Sequence, residues 1–222
     1  MKTKNRILLI ISFAPLFITA IALIFMNDTI PVHFNFNGEV DRYGSKFEYL
    51  ILPVITLAFY VFWKLYIKFY ASSNTDDIEK SKSNINVLTI LAIVINSLFG
   101  VLQCVFVAIA LLNPYTQNNT IELLSLVNYV MSIAFIVIGN YLPKTKRNSF
   151  MGVRTSWTKK SDKNWYVTNR NAGIAFVISG VLSIAVTAVI SGTVSTFIML
   201  IITIVSLLIS YIYSYIKVTK SA

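Results

Sequence analysis

The acid–base, nucleophilic and metal-binding potential of this 222-residue chain rests on one histidine, one cysteine and nine carboxylates. His33 stands six and eight residues before Glu39 and Asp41. An imidazole can carry protons or sense pH, because it titrates near neutrality. The simpler reading, adopted here, is a structural histidine hydrogen-bonded to Asp41 or Glu39. Zinc would have to be held by His33 and carboxylates alone, a poor donor set. Cys104 lies in an apolar stretch and has no second cysteine, which excludes an intramolecular disulfide and a cysteine-based metal site. Catalysis needs convergent acid–base, nucleophilic or metal groups. None converge here, so no catalytic residue, metal or cofactor is expected.

Two stretches are richer than ordinary connectors. The first, Asn27 to Glu48, concentrates aromatic and turn residues: His33, Phe34, Phe36, Asn37, Gly38, Asp41, Arg42, Tyr43, Gly44 and Lys46. Asn37-Gly38 suits a two-residue type I′ turn, since both positions tolerate φ > 0. A small hairpin follows, with His33 facing Arg42 and Phe34 facing Asp41. The second stretch, Lys144 to Arg170, carries eight Lys or Arg and a single acid, Asp162. Attraction to anionic lipid, about 1 kcal/mol per basic residue, accounts for most of its lysines. It does not account for Phe150-x-Gly152-x-Arg154 followed by Trp157. An arginine among glycine and aromatics reads as a placed contact to helix-end carbonyls or a partner carboxylate. Ser161 is suited to cap a helix over 162–170, which would set Trp165 and Tyr166 at the lipid headgroups.

The elements around these stretches are apolar. Hydrophobic residues make up 56% of the chain and charged residues 13%, against about 25% in a soluble domain. Mean hydropathy is +0.70. About 20 apolar residues cross a hydrocarbon core of ~30 Å. Spans are predicted at 7–26, 49–67, 87–112, 123–142, 172–190 and 195–216. Breaks fall at the polar cluster 113–120 and at Ser191-Gly192-Thr193. The runs are continuous rather than alternating, so helices rather than a barrel satisfy the backbone in lipid. The first span, preceded by Lys2, Lys4 and Arg6, reads as a retained signal anchor. Asn96, Gln103, Asn128 and Asn140 are read as interhelical hydrogen-bond partners. Gly139-Asn140 before Pro143 is read as a place where the chain bends out of the membrane.

Seventeen of the nineteen Lys and Arg fall on one side of this scheme, with only Arg42 and Lys46 opposite. The positive-inside rule then puts both termini in the cytoplasm and the hairpin outside. It also explains the net charge of +10 without nucleic acid. Trp63, Trp157 and Trp165 all fall at the inner interface, a depth that indole favours. The expected fold is an all-α integral membrane protein of six helices with a small extracellular hairpin after the first. It divides into a two-helix module (1–70), a cytoplasmic linker (71–86) and a four-helix module (87–222) containing the basic loop 143–170.

The run Ile30-Pro-Val-His33-Phe34 through Gly38-Glu-Val-Asp41-Arg42-Tyr-Gly44-Ser-Lys46 resembles the N-terminal signature of the SdpI family. Asn140, Pro143, Lys144, Asn148, Phe150, Gly152, Arg154, Trp157, Trp165, Arg170 and Gly173 resemble its C-terminal signature. The chain departs from the pattern at Lys146-Arg147, at Ser156 and at Asn169. The resemblance implies a bacterial inner-membrane protein without catalytic activity that confers resistance to a secreted membrane-active toxin. It also implies a receptor that holds a transcriptional autorepressor at the membrane. Toxin contacts would fall on the outer residues His33, Phe34, Asn37, Gly38, Asp41, Arg42 and Lys46, and repressor contacts on the inner ones. Membrane lipids are the remaining partner. A small multi-span transporter or exporter is the competing reading, weakened by spans that lack an internal acid or arginine.

Overall fold

The computed structural model describes residues 2–35, 39–73, 77–112 and 120–219. Six long helices carry the chain: α1 (Lys2–Ala22), α2 (Ile51–Ser73), α3 (Ile78–Leu112), α4 (Thr120–Tyr141), α5 (Asp162–Val189) and α6 (Thr193–Thr219). Two short strands, β1 (Thr29–Phe34) and β2 (Val40–Ser45), pair antiparallel between α1 and α2. Among the described residues, six helices are long and apolar enough to cross a membrane.

The arrangement of side chains shows which solvent the bundle is built for. In α6 the buried residues are Ser195, Met199, Thr203, Ser210, Ser214 and Val218. On its outer face Phe197, Ile201, Ile204, Leu208 and Ile212 are each more than half exposed. In α5 the inward positions are mostly Gly, Ala, Ser, Thr and Asn. A water-soluble bundle would bury the large apolar residues. Lipid removes that drive, and helices instead associate through small residues and interhelical hydrogen bonds.

The closest approach joins α4 to α5. A Cβ added to Gly139 would lie 2.5 Å from the Gly173 carbonyl oxygen, and one added to Gly173 would meet the Gly139 carbonyl at the same distance. Gly139 therefore sits in a packed helix rather than at a bend. The chain leaves α4 only afterwards, through the 3-10 turn Leu142–Lys144 with Pro143 near its start. On the other side of the molecule, α1 and α3 meet through Pro15 and Gly100.

The intramembrane amides divide two and two. Gln103 Nε2 donates to Thr19 Oγ1 on α1 (2.8 Å) and to the Tyr49 carbonyl (3.0 Å). Asn128 Nδ2 donates to Ser195 Oγ on α6 (2.8 Å), and its Oδ1 accepts from Thr196 Oγ1 (3.1 Å). Asn96 and Asn140 instead return to carbonyls of their own helices, Ala92 and Ile136. An interhelical bond requires the amide to face a neighbouring helix, and hydropathy alone does not report facing.

Several boundaries move. α2 extends to Ser73 and α3 begins at Ile78, so most of the expected 71–86 linker is helical. Asp77 starts α3 by accepting from the Lys80 N–H at 2.9 Å, and that bond is the largest cause holding its exposed carboxyl below the ordinary range. Ser161 accepts from the Asn164 N–H at 3.1 Å, and the helix it caps continues unbroken as α5. Gly192, with φ +75, makes the break between α5 and α6.

Candidate functional site

The hairpin pairs His33 with Arg42 as its sequence suggests, but Phe34 faces Val40 rather than Asp41. Irregularities flank His33 and shift the register there, since two residues of one strand can oppose one of the other. The proposed turn residues Asn37 and Gly38 lie outside the described residues. Asp41 Oδ1 lies 2.6 Å from His33 Nδ1, so the structural reading of the histidine holds with Asp41 as its partner. Glu39 bonds Asn35 instead.

The underside of the hairpin is anchored. Ile30 is fully buried with Ala22, Met26, Tyr49, Val107 and Ala110. Tyr49 donates its hydroxyl to the Pro31 carbonyl at 2.7 Å. Phe34 stacks on Phe106 of α3, centroids 6.0 Å apart. Lys46 pairs with Asp28 at 3.0 Å. Among the outer candidates, then, Phe34 and Lys46 are spent on packing and pairing within the chain. His33, Asp41 and Arg42 stand exposed, Arg42 braced by Glu48 at 2.8 Å.

At the lysine-rich end the stretch between α4 and α5 folds into a cap fastened to four helices. Asn84 of α3 is fully buried; its Oδ1 accepts from the Lys146 N–H (2.7 Å) and its Nδ2 donates to the Lys146 carbonyl (3.1 Å). Trp165 of α5 donates Nε1 to the Thr145 carbonyl at 3.0 Å. Asn169 Oδ1 accepts from the Val153 N–H at 2.8 Å. Phe150 enters an aromatic cluster of α2, with ring centroids of Tyr70, Phe69 and Tyr66 at 5.1, 5.9 and 6.3 Å. Trp157 lies edge-on to Tyr211 and Tyr215 of α6, both at 5.7 Å.

The remaining motif residues shape this cap. Asn148 accepts from the Phe150 and Met151 N–H groups, forming the turn that presents Phe150. Gly152 has φ +92 with the Asn169 amide against its Cα. Arg154 donates to the Ser149 carbonyl, closing the loop on itself rather than reaching a partner carboxylate. Lys144 lies over the Tyr141 ring at 4.1 Å, and Arg170 is exposed on α5. Trp165, expected at the headgroups, is 1% exposed and buried in the cap, while Tyr166 beside it is half exposed. Asn84 and Thr145 were not singled out by sequence, and Asn169 only as a departure from the family pattern. The signal available was an amide inside or beside an apolar helix, which does not tell what it faces.

The same cap carries an ion network, Arg147–Asp162 at 2.9 Å and Asp162–Lys80–Asp77 at 3.6 and 3.4 Å. These groups are substantially exposed, so solvent screens the pairs and they add little to stability. The buried tryptophan contributes more. Trp157→Ala should destabilise the cap by about 3 kcal/mol, Arg154→Ala by about 1 kcal/mol through its lost carbonyl bond, and Lys159→Ala by less than about 0.5 kcal/mol. Thermal melting of the purified variants checks that order; three equal small shifts would show the cap to be loose.

No cluster of three or more His, Cys, Asp or Glu able to hold a metal occurs among the described residues. An inside-out helical bundle with a hydrogen-bonded hairpin at one end and a docked cap at the other defines a multi-pass membrane protein. Residues 144–214, the cap together with α5 and most of α6, match the SdpI/YfhL protein family, and residues 10–57, which take in most of α1, the hairpin and the start of α2, match a domain of unknown function (DUF1648). The chain is thus similar to the SdpI family over its C-terminal part. It is similar to Immunity protein SdpI of Bacillus subtilis (strain 168), 27% identical over 181 residues, covering 81% of this chain and 79% of that protein. No solved structure matches.

Proposed function

We propose that this protein is a non-enzymatic immunity protein that protects a bacterial cell from a secreted membrane-active toxin. The carrying observation is the similarity to Immunity protein SdpI over four-fifths of the chain, together with the matches over residues 10–57 and 144–214, which take in both loop motifs. In this proposal both termini and the cap are cytoplasmic and the hairpin is outside, as the distribution of Lys and Arg favours. The toxin meets the exposed row His33, Asp41 and Arg42, on a hairpin held rigid from below. A pre-ordered platform lowers the entropic cost of binding.

The proposal extends to signalling. The cap touches α2, α3, α5 and α6, so a change in helix arrangement on toxin binding alters the surface offered to a cytoplasmic transcriptional repressor. A ligand drives such a change only by its differential affinity for two arrangements. Immunity is tested by expressing the chain in a toxin-sensitive strain. Survival should rise, and should fall again with Asp41→Ala/Arg42→Ala at unchanged membrane abundance. Killing that is the same with and without the chain would falsify the proposal.

A further inference from the structure

α4 packs far more closely on α5 than on α3. The looser side leaves a groove of about 410 Å³ between α3 and α4. Its floor is Ala134, 7% exposed, and its rim includes Val101 and Ile133, 40% and 55% exposed. Among the described residues, Ser97 and Tyr141 are the only polar side chains lining it. Along α3 it extends from Ile90 to Val101, about 16 Å at 1.5 Å per residue. That is the depth of one leaflet, half of a ~30 Å hydrocarbon core. A membrane-crossing helix would need twice that length, whereas one acyl chain fits it.

The lysine-rich end of the groove is marked by chemistry. Tyr141 closes it, and the Lys144 ammonium stands 4.1 Å from the centre of that ring. Lys144 is exposed, and its carbonyl accepts from Ser83 Oγ of α3 at 2.9 Å, so the turn that follows α4 is also tied to the other wall. Asp162, the one acid between Lys144 and Arg170, is already engaged by Arg147 and Lys80. An ammonium fixed at the headgroup end of a leaflet-long apolar groove complements a lipid phosphate. We infer that the α3–α4 groove is a specific site for an acidic phospholipid, one acyl chain lying over Ala134 and the phosphate at Lys144.

The site is independent of toxin recognition. The test uses the full-length protein, delipidated in mild detergent and then equilibrated with phosphatidylglycerol or phosphatidylcholine of identical chains, with retained lipid read by native mass spectrometry. Phosphatidylglycerol should be held about five-fold more tightly, the preference expected of one favourably placed lysine. Lys144→Gln should erase the preference while leaving chain binding. Ala134→Phe, which fills the floor, and Ile133→Trp, which fills the rim from an exposed position without disturbing the core, should each weaken both lipids by about ten-fold. Equal retention of the two lipids by the unaltered protein overturns the inference. So does retention that neither groove substitution changes in variants that melt like the parent.

Discussion

Gly139→Leu should lower the stability of the bundle by about 3 kcal/mol or more, with a corresponding fall in melting temperature. At this position an added Cβ would stand 2.5 Å from the Gly173 carbonyl oxygen, 2.8 Å from Val177 Cγ2 and 2.9 Å from the Val177 backbone nitrogen. Two of those neighbours are backbone atoms and cannot rotate away. Overpacking a tight site ordinarily costs about 1–3 kcal/mol because side chains give way; here α4 and α5 must separate. Separation opens the contact repeated at Gly180, where a Cβ would stand 2.6 Å from the Ser132 carbonyl. Lipid supplies little hydrophobic force to close the gap again, so close backbone approach contributes much of the adhesion. Leucine at 139 leaves average hydrophobicity higher, so a hydropathy-based view predicts no harm. Melting in detergent, read by intrinsic tryptophan fluorescence, separates the two views: a curve superimposable on the parent would show that α4 and α5 do not meet at these glycines.

That contrast marks what was legible in sequence. The number and approximate extent of the helices follow from charge-free runs, because hydrocarbon tolerates only helices with their backbones satisfied. The break at Gly192 and the cap at Ser161 were equally legible, since each rests on a local rule about one residue. The hairpin was legible as a hairpin, but its register was not. A continuous pairing from His33–Arg42 puts Phe34 opposite Asp41, whereas burial of Ile30 and the stacking of Phe34 on Phe106 accompany an irregular pairing that puts it opposite Val40. At the other end, the motif residues Phe150, Trp157 and Trp165 stood out by type, yet what they touch did not. Trp165 reads as an interfacial anchor from its neighbours in sequence, while its indole is consumed by the Thr145 carbonyl. Gly139 reads as a flexible point and is a packing surface. In each case the missing quantity is which way a residue faces across a helix, and in a span that is apolar on every side no periodicity reports it.

The second large effect is expected where Gly152 meets Asn169. Gly152 has φ +92, a conformation that costs a side-chain-bearing residue about 1–3 kcal/mol. A Cβ there would also lie 2.6 Å from Asn169 Oδ1, the atom that accepts the Val153 N–H. Gly152→Ala thus strains the turn and displaces the fastening at once. Asn169→Leu removes the fastening from the other side: it leaves the Val153 N–H without its acceptor, at about 1–3 kcal/mol, and deletes the bond from Asn169 Nδ2 to the Trp165 carbonyl. Both changes act on one contact, so their costs should not add, and the double variant should be less destabilised than the sum. The readout should be local. Lys159 and Lys160 are exposed beside the fastened segment, and trypsin cuts there only when the segment opens. Each single variant should be cleaved at these lysines about ten-fold faster or more, the change that about 1.4 kcal/mol of opening free energy produces. Arg170, on α5 beyond the segment, should be cut at its parental rate. Acceleration at Arg170 as well would mean that the bundle unfolds as a whole. Unchanged cleavage at Lys159 and Lys160 would mean that the cap is not held by Asn169, and the route proposed from the hairpin to a cytoplasmic partner through a docked cap would lose its physical basis.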